Sequence, residues 1–212
     1  MSALIRWLRI TTAALAWLGV VGFCVLAFNG NNDDGEGVGA VFGTLSTFTI
    51  QTNLFVAVWT TVVLVAPESR FGQWLQKPVV RGAVLVYITV TFTLFAALLD
   101  SLWDPEGLTE VLSIVTHYIV PIAFIIDWLI TEKHGTYEWR MVLWWYLYPM
   151  VYLGYLVVRG SVTGDYIYPF LDLDEIGLLG LGIAVIGLAV YGAILATIYI
   201  GLSRWFGRRA SL

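Results

Sequence analysis

The chain has 212 residues, 59% of them hydrophobic and 12% charged, with a formal net charge of −4. A soluble domain carries about twice that charged fraction, so a soluble globular fold is excluded. The acidic balance also argues against a nucleic-acid partner, which needs a basic footprint. The long apolar runs predict transmembrane helices instead, each near the ~20 residues that a bilayer core requires. They cover 7–28, 38–66, 78–99, 108–130, 141–158 and 176–203. The expectation is an all-α integral membrane protein, a six-transmembrane-helix bundle forming one domain over 1–212.

The first span follows Arg6 and Arg9, as a secretory signal would. It is too long for a signal h-region, and Leu26-Ala27-Phe28 is a poor cleavage site, so it is expected to be retained. Cys24, the single cysteine, lies inside it and reads as a small buried hydrophobe. It excludes an intrachain disulfide and a cysteine metal cluster.

The middle of the second span is rich in hydroxyl and amide side chains, from Thr44 to Asn53. At 100° per residue, Ser46, Thr49, Thr52 and Asn53 share one face, and Thr44, Thr47 and Gln51 the opposite one. Polar groups on both faces place this helix inside a bundle, away from lipid. For most of these side chains the bland reading is a bond back to their own helix or to a neighbour.

The fourth span holds His117, the only histidine predicted within the membrane. His134 falls in a loop beside Lys133 and reads as solvated. An intramembrane histidine is a functional hypothesis by default. Spans two and four both enter from the same side, and Thr49 and His117 lie about 14–17 Å below that end. A hydroxyl and an imidazole at equal depth have the geometry of a nucleophile and its base. Glu110 and Ser113 lie on the His117 face; Glu110 is two turns away and would act through water or Ser113. Asp127, near the other end of the same span, is expected to pair with a neighbouring helix. Asn53, one turn from Thr49, is the candidate oxyanion donor.

The segment from Tyr166 to Asp172, rich in Tyr, Pro and Phe, is expected to be an ordered interfacial loop before the sixth span. Across the threading, Arg6, Arg9, Arg70, Lys77, Arg81, Lys133, Arg140, Arg204, Arg208 and Arg209 fall on one side, and Arg159 alone on the other. The second side collects Asp33, Asp34, Glu36, Asp100, Asp104, Glu106, Glu110, Asp165, Asp172, Asp174 and Glu175. Basic residues in short loops stay inside, so both termini are expected in the cytoplasm. Trp7, Trp74, Trp128, Trp139 and Trp205 are expected at the cytoplasmic boundary, and Trp103, Tyr166 and Tyr168 at the outer one.

Several islands of sequence carry a resemblance. They are Phe48-Thr49-Ile50-Gln51-Thr52-Asn53, His117-Tyr118-Ile119-Val120-Pro121 with Asp127-Trp128, Tyr148-Pro149, and Tyr166-Ile167-Tyr168-Pro169-Phe170-Leu171-Asp172. With them the chain resembles the androgen-induced and androgen-dependent family of integral membrane threonine hydrolases, and in particular its bacterial branch. The resemblance extends over all six spans. It implies hydrolysis of a long-chain acyl ester, such as a fatty acid ester of a hydroxy fatty acid, with Thr49 as nucleophile and His117 as base. Thr47 and Thr52 are the neighbouring candidates for the nucleophile. It implies no cofactor and no metal ion, a membrane lipid as substrate, and a bacterial cytoplasmic membrane as location.

Two other readings compete. One is a non-catalytic polytopic protein, a small transporter or lipid-binding sensor, with His117 as a proton-responsive residue. The other, a haem electron carrier, is poor, because bis-histidine ligation with one intramembrane histidine would need a dimer.

Overall fold

In lipid, backbone polar groups must be satisfied within their own segment, so apolar runs of this length fold as helices. The computed structural model describes residues 2–30 and 36–209. Asp33 and Asp34 lie outside the described residues, which hold helices and no strand. Six helices are long and apolar enough to cross a membrane. The chain divides into two compact units, Met1–Glu132 and Lys133–Leu212, carrying four and two of these helices.

In the first unit, α1 runs over Ala3–Phe28 and starts at Ser2, whose hydroxyl accepts from the Ile5 amide. The second apolar run is not one helix. It breaks at Thr47 into α2 (Gly37–Ser46) and α3 (Phe48–Val65). A short α4 (Arg70–Leu75) fills the loop that follows, and the Trp59 indole holds it by donating to the Leu75 carbonyl at 2.9 Å. α5 (Pro78–Leu94) begins with Pro78, whose missing N–H costs nothing there, and runs into a π turn at Phe95–Leu99. α6 (Gly107–Ile114), a second π turn (Val115–Ile119) and α7 (Val120–Thr131) make up the fourth long helix. α1 packs on α3 and touches α2, α6 and α7; α5 packs on α3 and α7. Two glycines permit the approach of α1. A Cβ on Gly19 would strike Thr116 Cγ2, and one on Gly22 would meet Leu112.

Near one end of this unit, Asp127 gathers two arginines. Arg9 Nε donates to Asp127 Oδ1 at 2.8 Å, and Arg81 Nη2 to Oδ2 at 2.9 Å. Arg81 Nη1 reaches Glu132 at 3.1 Å, and Thr131 Oγ1 accepts from both guanidinium groups. Both cations also lie against the Trp59 ring, at 5.3 and 4.9 Å from its centroid. Of the tryptophans expected at the same boundary, Trp128 is fully buried in the protein, while Trp7, Trp74, Trp139 and Trp205 are exposed.

In the second unit, α8 (Met141–Thr163) packs on α9 (Leu173–Arg209). α8 runs past the expected end at residue 158 because Arg159 keeps a partner, donating to the Asp165 carbonyl and carboxylate at 2.6 Å each. Gly164, with φ of 70°, then ends the helix. Between α8 and α9, Pro169–Leu171 forms a 3-10 turn, and Asp172 Oδ1 accepts from the amides of Asp174 and Glu175 to start α9. A left-handed Gly177 kinks α9 near its start. His134 is half-buried, with its ring 4.9 Å from that of Phe206, where a solvated loop residue was expected.

Candidate functional site

The break at Thr47 explains most of the polar run in the second apolar segment. Thr47 takes an extended ψ of 143°, so the carbonyls ending α2 and the amides opening α3 lose their helical partners. Side chains replace them. Thr47 Oγ1 accepts from the Ile50 amide and donates to the Thr44 carbonyl, and Gln51 Nε2 donates to the Leu45 carbonyl; Ser46 Oγ makes an ordinary bond back to the Phe42 carbonyl within α2. The angular register counted across the whole run therefore does not hold through Thr47. It holds within α3, where Thr49, Thr52 and Asn53 all turn toward neighbouring helices. Thr49 becomes the second residue of α3, with an amide N–H that has no carbonyl one turn back in its own helix.

The π turn that carries His117 has its own local cause. Pro121 lacks an N–H, and in an ideal α-helix its ring would clash with the carbonyl of His117. The chain widens by one residue: the Val120 amide bonds the Val115 carbonyl, five back, rather than that of Thr116. Such single π turns are common at functional sites.

These two irregular segments meet. Thr49 Oγ1 lies 3.2 Å from His117 Nε2. On the far side of the ring, Nδ1 lies 3.0 Å from the Ser113 carbonyl and 3.1 Å from Ser113 Oγ. A carbonyl oxygen only accepts, so Nδ1 carries the ring hydrogen and Nε2 is left with its lone pair. The Thr49 hydroxyl then donates to Nε2, the direction in which a base draws a proton from a nucleophile. Phe95, placed by the first π turn, stacks on the imidazole at a centroid distance of 3.6 Å and an angle of 13°. The Trp103 ring meets it edge-on at 6.3 Å. His117 is 6% exposed, whereas Thr49 is only half-buried.

The other candidates fall as follows. Ser113 contacts the imidazole directly. Glu110 is exposed in the first turn of α6, and none of the bonds to His117 involves it. The carboxylate within electrostatic reach of the imidazole is Asp100, which also accepts from the Tyr118 hydroxyl. Asn53 is fully buried, and both hydrogens of its amide are used: Nδ2 donates to the carbonyls of Thr49 at 2.8 Å and Thr116 at 3.0 Å. In this arrangement it has no hydrogen left for an oxyanion. Thr52 bonds Thr91 Oγ1 at 2.7 Å, and Thr47 is spent on the break, so neither alternative threonine bonds the histidine. Phe95 has no signal in the sequence because the first π turn has no Pro to announce it, and Asp100 and Trp103 come to the site only through the course of the chain after that turn. The second did have a signal in Pro121, four residues after His117.

No family model matches the chain, and no solved structure does. The chain is similar to an uncharacterized protein of Mycoplasma pneumoniae, the MG452 homolog, with 25% identity over 138 residues. The alignment covers 61% of this chain and 54% of the relative, so the chain spans about half of the relative's length.

Proposed function

We propose that the chain is an intramembrane lipid hydrolase in which Thr49 attacks the carbonyl carbon of a long-chain acyl ester and His117 takes the threonine proton. The observation that carries this reading is the directed hydrogen bond from Thr49 to Nε2, with Nδ1 held by the Ser113 carbonyl. The threonine C–O bond to the acyl group forms as the ester bond to the alcohol breaks. The imidazolium returns its proton to the departing alkoxide. Water, deprotonated in turn by His117, then releases the fatty acid and restores the hydroxyl. The oxyanion donor is the amide of Thr49 itself, at the open N-terminus of α3, where the helix dipole adds about half a positive charge.

The sequence islands support placing the chain in the bacterial branch of the androgen-induced and androgen-dependent threonine hydrolases, with a fatty acid ester of a hydroxy fatty acid as the substrate class. The ten-to-one basic asymmetry supports six spans with both termini in the cytoplasm of a bacterium. In a Cys24→Ala background, a cysteine at Ser2 should be labelled only from the cytoplasm and one at Glu106 only from outside.

The chemistry is tested with a fluorophosphonate probe and a panel of long-chain esters in detergent. Labelling and turnover are expected in the wild type and absent from Thr49→Ala and His117→Ala. Full turnover by Thr49→Ala would remove the nucleophile. A wild type with neither adduct nor turnover would favour the second reading, a transporter or lipid-binding sensor. The break at Thr47 supports that alternative, since transporters place interrupted helices at their binding sites.

A further inference from the structure

The π turn around His117 leaves one backbone acceptor without a helical donor. In a regular helix the Thr116 carbonyl would receive the Val120 amide, but that amide goes to Val115. The next amide along belongs to Pro121 and does not exist. Asn53 supplies the missing donor from another helix, at 3.0 Å. Its second amide hydrogen goes to the carbonyl of Thr49, one turn back in α3. One planar amide thus joins the backbone of the proposed nucleophile to that of the residue preceding the proposed base.

The orientation of this amide is fixed by its surroundings. Turned over, it would set its oxygen against two carbonyl oxygens. As placed, it leaves Asn53 Oδ1 buried with no hydrogen-bond partner. A buried oxygen without a partner is costly and needs a reason. A leucine would fill much the same space without stranding a polar atom, but it could not bridge the two carbonyls.

We propose that Asn53 is the positioning residue of this site, a clamp that sets the distance between Thr49 Oγ1 and His117 Nε2. It fixes α3 against the π turn at a point one helical turn from the reacting pair. Because alignment of that pair governs proton transfer, loss of the clamp should act on kcat rather than on KM. The catalytic half of this inference rests on the hydrolase reading; the geometric half does not.

The experiment uses the full-length protein with [15N]histidine and a His134→Gln change, so that the two ring nitrogens observed belong to His117. In Asn53→Leu, the Nε2 resonance is expected to move toward that of an imidazole nitrogen without a donor. Probe labelling and kcat should fall by on the order of tenfold or more, with KM within about twofold. Pro121→Ala then separates a clamp from a mere hydrogen-bond donor, because it returns a backbone N–H to the turn. In Asn53→Leu/Pro121→Ala, compared with Pro121→Ala alone, the melting temperature should recover while the Nε2 resonance and the labelling rate do not. Recovery of all three would reduce Asn53 to a structural donor and overturn the proposal, as would an unmoved Nε2 resonance in Asn53→Leu. If the wild type neither labels nor turns over but the resonance still moves, the hydrolase reading fails and the clamp stands.

Discussion

The first unit holds two buried polar clusters, and they are built in opposite ways. Around Asp127, two arginines and two carboxylates cancel in charge, and the guanidinium groups rest on one indole. Arg9, Arg81 and Asp127 sit in regular helix, and Glu132 lies just past the end of α7 in extended backbone. Around His117 the groups that bond the ring are neutral, yet the backbone is irregular on three sides: a broken helix at Thr47 and π turns at Phe95–Leu99 and Val115–Ile119. In the first cluster the charges pair with one another, and Arg81 Nε is buried there without a hydrogen-bond partner. The other leaves a half-buried hydroxyl facing the lone pair of a base. Burial of polar groups alone therefore does not separate the two clusters; distorted backbone and a half-buried hydroxyl beside an imidazole nitrogen do.

Substitutions should separate the two clusters by what they damage. The largest effect is expected on turnover: Thr49→Ala and His117→Ala should each cost on the order of 10⁴-fold, about 5 kcal/mol in the barrier. Because the two act as a unit, the double variant should be scarcely worse than either single one. Equilibrium unfolding of Thr49→Ala should shift by only about 1 kcal/mol, the value of one hydrogen bond. A turnover loss that multiplies in the double variant would break the comparison.

Asp127→Ala should do the reverse. It strands two buried guanidinium groups, which costs about 3–5 kcal/mol of stability. The fraction that still folds should label with the fluorophosphonate probe at close to the wild-type rate. Denaturation in detergent, read alongside labelling, checks both halves of this expectation.

Gly19→Ala is placed between the two. Its Cβ would press on Thr116, next to His117, and overpacking of this kind costs about 1–3 kcal/mol. Since Thr116 belongs to the turn that carries His117, turnover should drop along with stability. A variant that loses stability with unchanged kcat would show that α1 supports the turn without aligning it. The smallest effect is expected for Thr47→Ala, which removes the N-cap of α3 at about 1 kcal/mol. Its thermal midpoint should fall modestly, with turnover retained.

Much of this was legible in the chain itself. Apolar length located all six long helices, and matching depth from the same face brought Thr49 to His117. Asp127 finds its partners on neighbouring helices, as its place near a helix end suggested. The unread features share a physical cause. Counting at 100° per residue assumes an unbroken helix, so neither the break at Thr47 nor a π turn could emerge from it. Asn53 was read as an oxyanion donor because a sequence shows an amide's reach but not which hydrogens are already spent. Ring chemistry speaks to the depth of Trp128 and not to which side of its helix is covered, so its complete burial is not legible either.

The bond between Arg9 and Asp127 joins residues 118 positions apart, one of the first charged residues of this unit to one of its last. During synthesis at ~5–20 residues per second, that distance corresponds to roughly 6–24 seconds. For that time Arg9 must be kept in water, in headgroups or by an insertion factor. Until the fourth long helix is made, Arg9 lacks its carboxylate, so truncations ending before Asp127 should leave the amino-terminal segment more exposed to membrane proteases than the full chain.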